Sequence, residues 1–187
     1  MKPFSIILLL LVVQQIKAQC ISGNCENGYG KKKYSDGVYE GGFVNGNREG
    51  LGSFTSTDNT RYIGYFSNDF YYGKGLFTTV DFTYEGDFIN GYRTGWGKIQ
   101  YKSGEFYEGG FLQGKLNGFG TAHYKNGNKF TGFFKNGTFE GFGTIVYADG
   151  TQFRGQFVNG KRNGPGVMIS KTGEQQPGVW VNDVLGQ

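Results

Sequence analysis

The stretch Tyr84-Glu85-Gly86-Asp87-Phe88-Ile89-Asn90-Gly91, followed by Gly95-Trp96-Gly97 and then Ser103-Gly104, decides the fold. Tyr84, Gly86 and Phe88 alternate with Glu85 and Asp87, and a period of two is the signature of a β-strand. Asn90-Gly91 is a two-residue turn signal, because asparagine and glycine tolerate the positive φ that tight hairpins require. Gly95-Trp96-Gly97 marks a returning strand, and Ser103-Gly104 ends it with a second turn. Two strands and two turns in 23 residues describe one hairpin of an antiparallel meander.

The same 23 residues recur on either side. The units run Tyr39–Arg61, Tyr62–Thr83, Tyr84–Phe106, Tyr107–Lys129, Phe130–Gln152 and Phe153–Gln175, five of 23 residues and one of 22. The first turn is written Asn45-Gly46, Asn90-Gly91, Gln113-Gly114, Asn136-Gly137 and Asn159-Gly160. The glycine pairs are Gly28/Gly30, Gly50/Gly52, Gly73/Gly75, Gly95/Gly97, Gly118/Gly120, Gly141/Gly143 and Gly164/Gly166. A half unit from Glu26 to Val38 leads the array and another from Gln176 closes it, so the expected organisation is 1–18 leader, 19–38 cap with half repeat, 39–175 six repeats, and 176–187 half repeat and cap. Terminal units of an array are atypical because they must cover its ends. Two places depart from the pattern: Asp69 stands where a turn glycine belongs, and Val80-Asp81-Phe82 replaces an Asp-Gly turn, which predicts an irregular sheet near residues 69–83.

Composition agrees with this reading and excludes others. The chain has 35 Gly, 18 Phe and 13 Tyr against 3 Pro in 187 residues. Collagen needs a strict every-third-residue glycine with abundant proline, and disordered chains are poor in large apolar side chains. What remains is a fold that wants glycine at fixed backbone positions. About fourteen strands at a spacing of about 4.8 Å predict a rod about 65 Å long without a compact interior.

These motifs resemble the MORN (membrane occupation and recognition nexus) repeat family, whose unit reads Tyr-Glu-Gly-X-(Trp/Phe), then Asn-Gly, Gly-X-Gly and Asp-Gly. Tyr84–Gly91 and Tyr107-Glu108-Gly109-Gly110-Phe111 follow it almost letter for letter, and the resemblance spans about Cys20 to Asp183. It implies an all-β fold: an elongated, single-layered, twisted antiparallel sheet of stacked hairpins. It also implies a role in protein interaction and dimerisation, hence protein partners and self-association. The family name adds membrane lipid as a further partner.

Strand alternation puts Tyr39 and Phe43, Tyr62 and Phe66, Tyr84 and Phe88, Tyr107 and Phe111, Phe130 and Phe134, and Phe153 and Phe157 on one face, with glycines between them making room for the rings. Recurrence in every unit marks these twelve as scaffold. Tyr29, Leu51, Trp96, Phe119 and Phe142, between the paired glycines, point to the opposite face. Binding positions in arrays are those that vary, such as Asp87, Gly110, Phe133 and Gln156. Trp96, Phe119 and Phe142 are the expected partner-binding patch, since aromatic anchors dominate interface energetics. Regularly spaced rings also suit sugar faces, so a glycan or cell-surface polysaccharide is the alternative partner.

No catalytic, cofactor or metal site emerges. The glycine pairs lie inside strands and lack the Lys-Ser/Thr ending of a phosphate loop. Glu40, Glu85 and Glu108 recur at one repeat position as solvent-facing residues, and His123 has no nucleophile or acid patterned beside it. Lys31-Lys32-Lys33 reads as the protective charge of an edge strand. Asn136-Gly137-Thr138 fits a glycosylation acceptor in a eukaryotic source.

The N-terminal 18 residues read as a secretory leader: Lys2 precedes an apolar run from Ile6 to Val13, and Ala18 follows Ile16 at the spacing of a cleavage site. That run is too short to span a bilayer, which takes about 20 residues. Its short form and Lys-Ala-Gln end are similar to leaders of exported proteins in Bacteroidetes-type bacteria, and a eukaryotic secretory origin stays open. Secretion or residence in the periplasm or cell envelope is the expected location. There, Cys20 and Cys25 can close a local disulfide, and with no other Cys they make a poor metal site. Without Lys2 and Lys17 the 19 basic residues become 17 against 15 acidic, a balance that gives no pull toward nucleic acid.

Overall fold

The structure is a computed structural model that describes residues 18–186. The expected leader therefore lies outside the described residues, apart from Ala18. Sixteen strands and no helices make up the described chain. They are β1 (Gln19–Gly23), β2 (Gly28–Lys33), β3 (Gly37–Val44), β4 (Asn47–Ser56), β5 (Arg61–Ser67), β6 (Phe70–Thr78), β7 (Phe82–Ile89) and β8 (Tyr92–Tyr101). The second half continues with β9 (Phe106–Leu112), β10 (Lys115–His123), β11 (Lys129–Lys135), β12 (Thr138–Val146), β13 (Gln152–Val158), β14 (Lys161–Ile169), β15 (Gln175–Val181) and β16 (Val184–Leu185). They form one open antiparallel sheet in strict sequence order, so every strand pairs with its chain neighbours.

Glycine sets the register. Gly41 faces Gly52, Gly52 faces Gly64, and the line continues through Gly75, Gly86, Gly97, Gly109, Gly120, Gly132, Gly143, Gly155 and Gly166 to Gly178. This row is a trough in which the first ring of each unit lies. A Cβ on Gly97 would stand 2.6 Å from Tyr84 Cζ, and one on Gly86 would stand 2.6 Å from the Gly97 Cα. No side chain fits there.

The other glycine of each Gly-X-Gly pair answers a different need. Gly50, Gly73, Gly95, Gly118, Gly141 and Gly164 all have positive φ, at bulges in the returning strand, whereas their partners in the trough are required by space. Between Gly86 and Phe88 the register slips, so that Phe88 faces Arg93. The Tyr84 hydroxyl donates to the Asp87 carbonyl inside that bulge at 3.1 Å, and the Tyr39, Tyr62 and Tyr107 hydroxyls do the same for Gly42, Tyr65 and Gly110. Phe130 and Phe153 occupy the same place without the hydroxyl.

The sheet does have a core, on one face. The twelve ladder rings are between 0% and 4% exposed. Each packs edge to face on its partner within the unit and on the next unit: Tyr39 to Phe66 at 4.7 Å, Tyr62 to Phe88 at 5.1 Å, Tyr84 to Phe111 at 5.0 Å, Tyr107 to Phe134 at 5.0 Å, Phe130 to Phe157 at 5.3 Å. Edge-to-face pairs contribute about 0.5–1.5 kcal/mol each beyond the area they bury. Cys25, bonded to Cys20, sits over Gly30 at one end of the ladder, and Trp180 closes the other against Phe153 at 4.9 Å.

A single sheet buries these rings only because something lies on top of them. The second residue after each hairpin turn does this: Arg48, Tyr71, Arg93, Leu116, Phe139 and Arg162. Tyr71 stacks on Tyr62 and Phe139 on Phe130, both at 3.8 Å. The Arg93 guanidinium lies 5.5 Å from the Tyr84 ring, that of Arg162 5.6 Å from Phe153, and that of Arg48 5.4 Å from Phe66. The following hairpin's turn fixes the backbone of these residues: Asp69, Gly91, Gly114, Gly137 and Gly160 each donate an N–H to the carbonyl of the covering residue before them.

Three expectations need correction. Sixteen strands form rather than fourteen, because β1 and β16 add to the two ends. The sheet runs unbroken through 69–83: Asn68 and Asp69 adopt positive φ like every other hairpin turn, and Thr79 closes the shorter turn by donating to the Phe82 carbonyl at 2.8 Å. Lys31–Lys33 do not form an edge, since β1 pairs outside them. Lys31 instead meets Glu40 at 3.1 Å, and Lys32 lies on the core side over Tyr34 and Phe43.

Candidate functional site

With one face given to the core, the opposite face is free for contact. Its apolar residues are half exposed: Tyr29, Leu51, Tyr65, Trp96, Phe119, Phe133, Phe142 and Val179 all lie there. Strands such as β11 and β13 alternate buried positions with more exposed ones, and the Gly-X-Gly middle residues Phe119 on β10 and Phe142 on β12 are exposed.

Register decides which of them meet. Phe119 faces Phe133 across β10 and β11, with ring centroids 5.6 Å apart and planes at 74°. Phe142 follows on β12, and Pro165, Val167, Pro177 and Val179 extend the apolar surface across β14 and β15, where Pro165 faces Val179 and Val167 faces Pro177. Phe119, Phe133, Phe142, Pro165, Val167 and Pro177 line one shallow groove of about 850 Å³, with Thr131, Thr144 and Arg154 along its side.

Trp96 does not join this group. It faces Gly110, which has no side chain to bridge the gap toward β10. Trp96 instead lines a separate depression of about 560 Å³ among Lys74, Leu76, Glu85, Lys98 and Glu108. That region is charged, with Lys74 and Asp87 paired at 2.8 Å and Lys98 in register between Glu85 and Glu108. The expected patch of Trp96, Phe119 and Phe142 therefore divides in two. Phe133 completes the larger part; its place beside Phe119 follows from register, which sequence spacing alone does not supply.

No chemistry converges on either surface. His123 stacks flat on Phe106 at 4.1 Å, and partial burial together with the nearby Lys129 charge lowers its pKa. Among the described residues no three His, Cys, Asp or Glu side chains gather as metal ligands. No helix among them is long and apolar enough to cross a membrane.

A one-layer sheet of sequential hairpins, carrying its core on one face and exposed rings on the other, defines a β-repeat protein. The chain belongs to the MORN repeat family: the family model matches residues 26–38, 39–61, 62–83, 84–106, 107–129, 130–152 and 153–175. Repeats of this family are binding and scaffolding modules without enzymatic chemistry of their own. No curated protein matches the chain. Among solved structures, it is similar to the SAS-4 (dCPAP) TCP domain of Drosophila melanogaster, solved in complex with a proline-rich motif of Ana2 (dSTIL). The TM-score is 0.52 at 11% identity, covering 96% of this chain and 97% of that one, a likeness of fold.

Proposed function

We propose that this protein is a non-catalytic binding and scaffolding module that acts outside the cytoplasm and holds a protein partner on the open face of β10–β15. One observation carries the reading: Phe119, Phe133 and Phe142 are 49%, 51% and 64% exposed in a contiguous groove, while every ladder ring is buried. A contiguous apolar groove on a soluble surface is the usual mark of an interaction site. Location outside the cytoplasm is supported by the leader-like residues 1–18 and by the Cys20–Cys25 pairing, which suits an oxidising compartment.

The groove favours an extended, proline-rich partner segment. Such segments dock in aromatic-lined grooves with little entropy to lose, and the similar SAS-4 domain was captured with a proline-rich motif. Titration of proline-rich peptides by fluorescence anisotropy tests this against the Phe119→Thr, Phe133→Thr, Phe142→Thr triple variant. Wild-type protein is expected to bind a peptide of the panel and the triple variant to lose it. Equal binding by both proteins, or retention of polysaccharide in place of peptide, contradicts the reading.

A further inference from the structure

The cover over the ladder is thinnest at one repeat. In five of the six units a flat group lies over the first ladder ring: a guanidinium over Tyr39, Tyr84 and Phe153, and an aromatic ring over Tyr62 and Phe130. Over Tyr107 the corresponding residue is Leu116, which has no flat surface to offer. The adjacent core position is also reduced: Phe54, Phe77, Ile99, Ile145 and Met168 stand in the other units, and Ala122 in this one. Both truncations fall together, and an open pocket of about 450 Å³ lies there, lined by Tyr107, Phe111, Leu116, Ala122, Tyr124 and Arg93. Phe111 and Tyr107 are correspondingly the most exposed of their rows, at 4% and 3%.

Arg93 differs from its counterparts too. Arg48 and Arg162 each donate from Nε to a carboxylate 21 residues on, Asp69 at 3.0 Å and Asp183 at 3.2 Å. The residue 21 positions after Arg93 is Gly114, and Arg93 reaches only its carbonyl, through Nη2 at 3.1 Å. Among the described residues, Arg93 meets no carboxylate. An unpaired guanidinium wedged among Phe82, Tyr84 and Phe111 borders a ring-lined pocket whose size lies in the ordinary range for small ligands, about 300–1,000 Å³.

We infer that this pocket binds a free small aromatic carboxylate, whose ring packs against Leu116 and Ala122 beside Tyr107, in the space that larger side chains fill in the other units, and whose carboxylate pairs with Arg93. Bidentate guanidinium–carboxylate geometry is what Arg provides best. Glu105 on the wall accepts a hydrogen bond from the Ser103 hydroxyl at 2.8 Å, and Lys115 lines the same pocket. The Tyr124 hydroxyl, kept protonated by burial and by Glu105, is a second donor at the wall.

Isothermal titration of the full chain with phenylacetate, phenylacetamide and cyclohexylacetate tests the assignment. Phenylacetate is expected to bind, with the neutral amide and the non-planar acid weaker by at least about tenfold, or about 1.4 kcal/mol. Leu116→Phe, which installs the residue type found at Phe139, is expected to raise Tm and abolish binding; Ala122→Ile is the second filling variant should the first fail to fold. Absence of phenylacetate binding to the wild type, equal binding of the three probes, or binding that survives a folded filling variant would overturn the inference.

Discussion

Gly97 and Gly104 lie seven residues apart and are required for opposite reasons. Gly97 sits beneath the Tyr84 ring, so a methyl group there collides with the ring and hydroxyl of a side chain that is itself fully buried. Gly104 has φ of 95° and open space around it. Gly97→Ala should therefore cost about 3 kcal/mol or more through overpacking, and Gly104→Ala about 1 kcal/mol through backbone strain. Chemical denaturation of the two variants checks the ranking. The tyrosines add a pH effect. Burial raises Tyr84 and Tyr107 to about 12, and burial together with Glu105 does the same for Tyr124. Each folded pKa exceeds the unfolded value of about 10, so their contribution is intact below about pH 10 and is lost as pH rises toward 12. Stability measured against pH should fall through that window, alongside a delayed phenolate absorbance. Constant stability across it would mean that these hydroxyls are solvated.

At the scale of the hairpin, turn and cover act as one device. The turn's two left-handed residues return the strand, and the next turn's N–H holds the backbone that aims a flat side chain onto the ladder. Asp69 illustrates how a departure from the repeat is absorbed. It adopts φ of 69°, costing about 1 kcal/mol relative to glycine. It regains a comparable amount by engaging Arg48 in a part-buried pair, for which the range of surface pairs, up to about 1 kcal/mol, is the baseline. Asp69→Gly should leave Tm within a few degrees of wild type, and a loss beyond about 2 kcal/mol would show the pair to be stronger than its exposure allows. Much of this element was legible in the sequence. Strand period, turn dipeptides and the alternation of faces follow from local chemistry in Tyr84–Gly104. The covering role of Arg48, Arg93 and Arg162 was not, because it depends on a bulge that shifts register between Gly86 and Phe88, and so on contacts between units.

Across the whole molecule, strict sequential pairing makes the array a chain of nearest-neighbour contacts, with short strands β1 and β16 at its ends. Short edge strands limit the template offered to other chains. The binding patch was half legible: exposure of Trp96, Phe119 and Phe142 follows from alternation, whereas their division by Gly110 and the joining of Phe133 follow from cross-strand register. The central claim is that the two faces divide the aromatic residues between holding the fold and meeting a partner. Thermal unfolding of two triple variants tests it most directly. Phe119→Thr, Phe133→Thr, Phe142→Thr on the open face should retain a cooperative transition within about 2 kcal/mol of wild type. Phe88→Thr, Phe111→Thr, Phe134→Thr in the ladder, at about 3–5 kcal/mol per ring, should leave none. Comparable loss in both variants, or greater loss from the open face, would contradict the account.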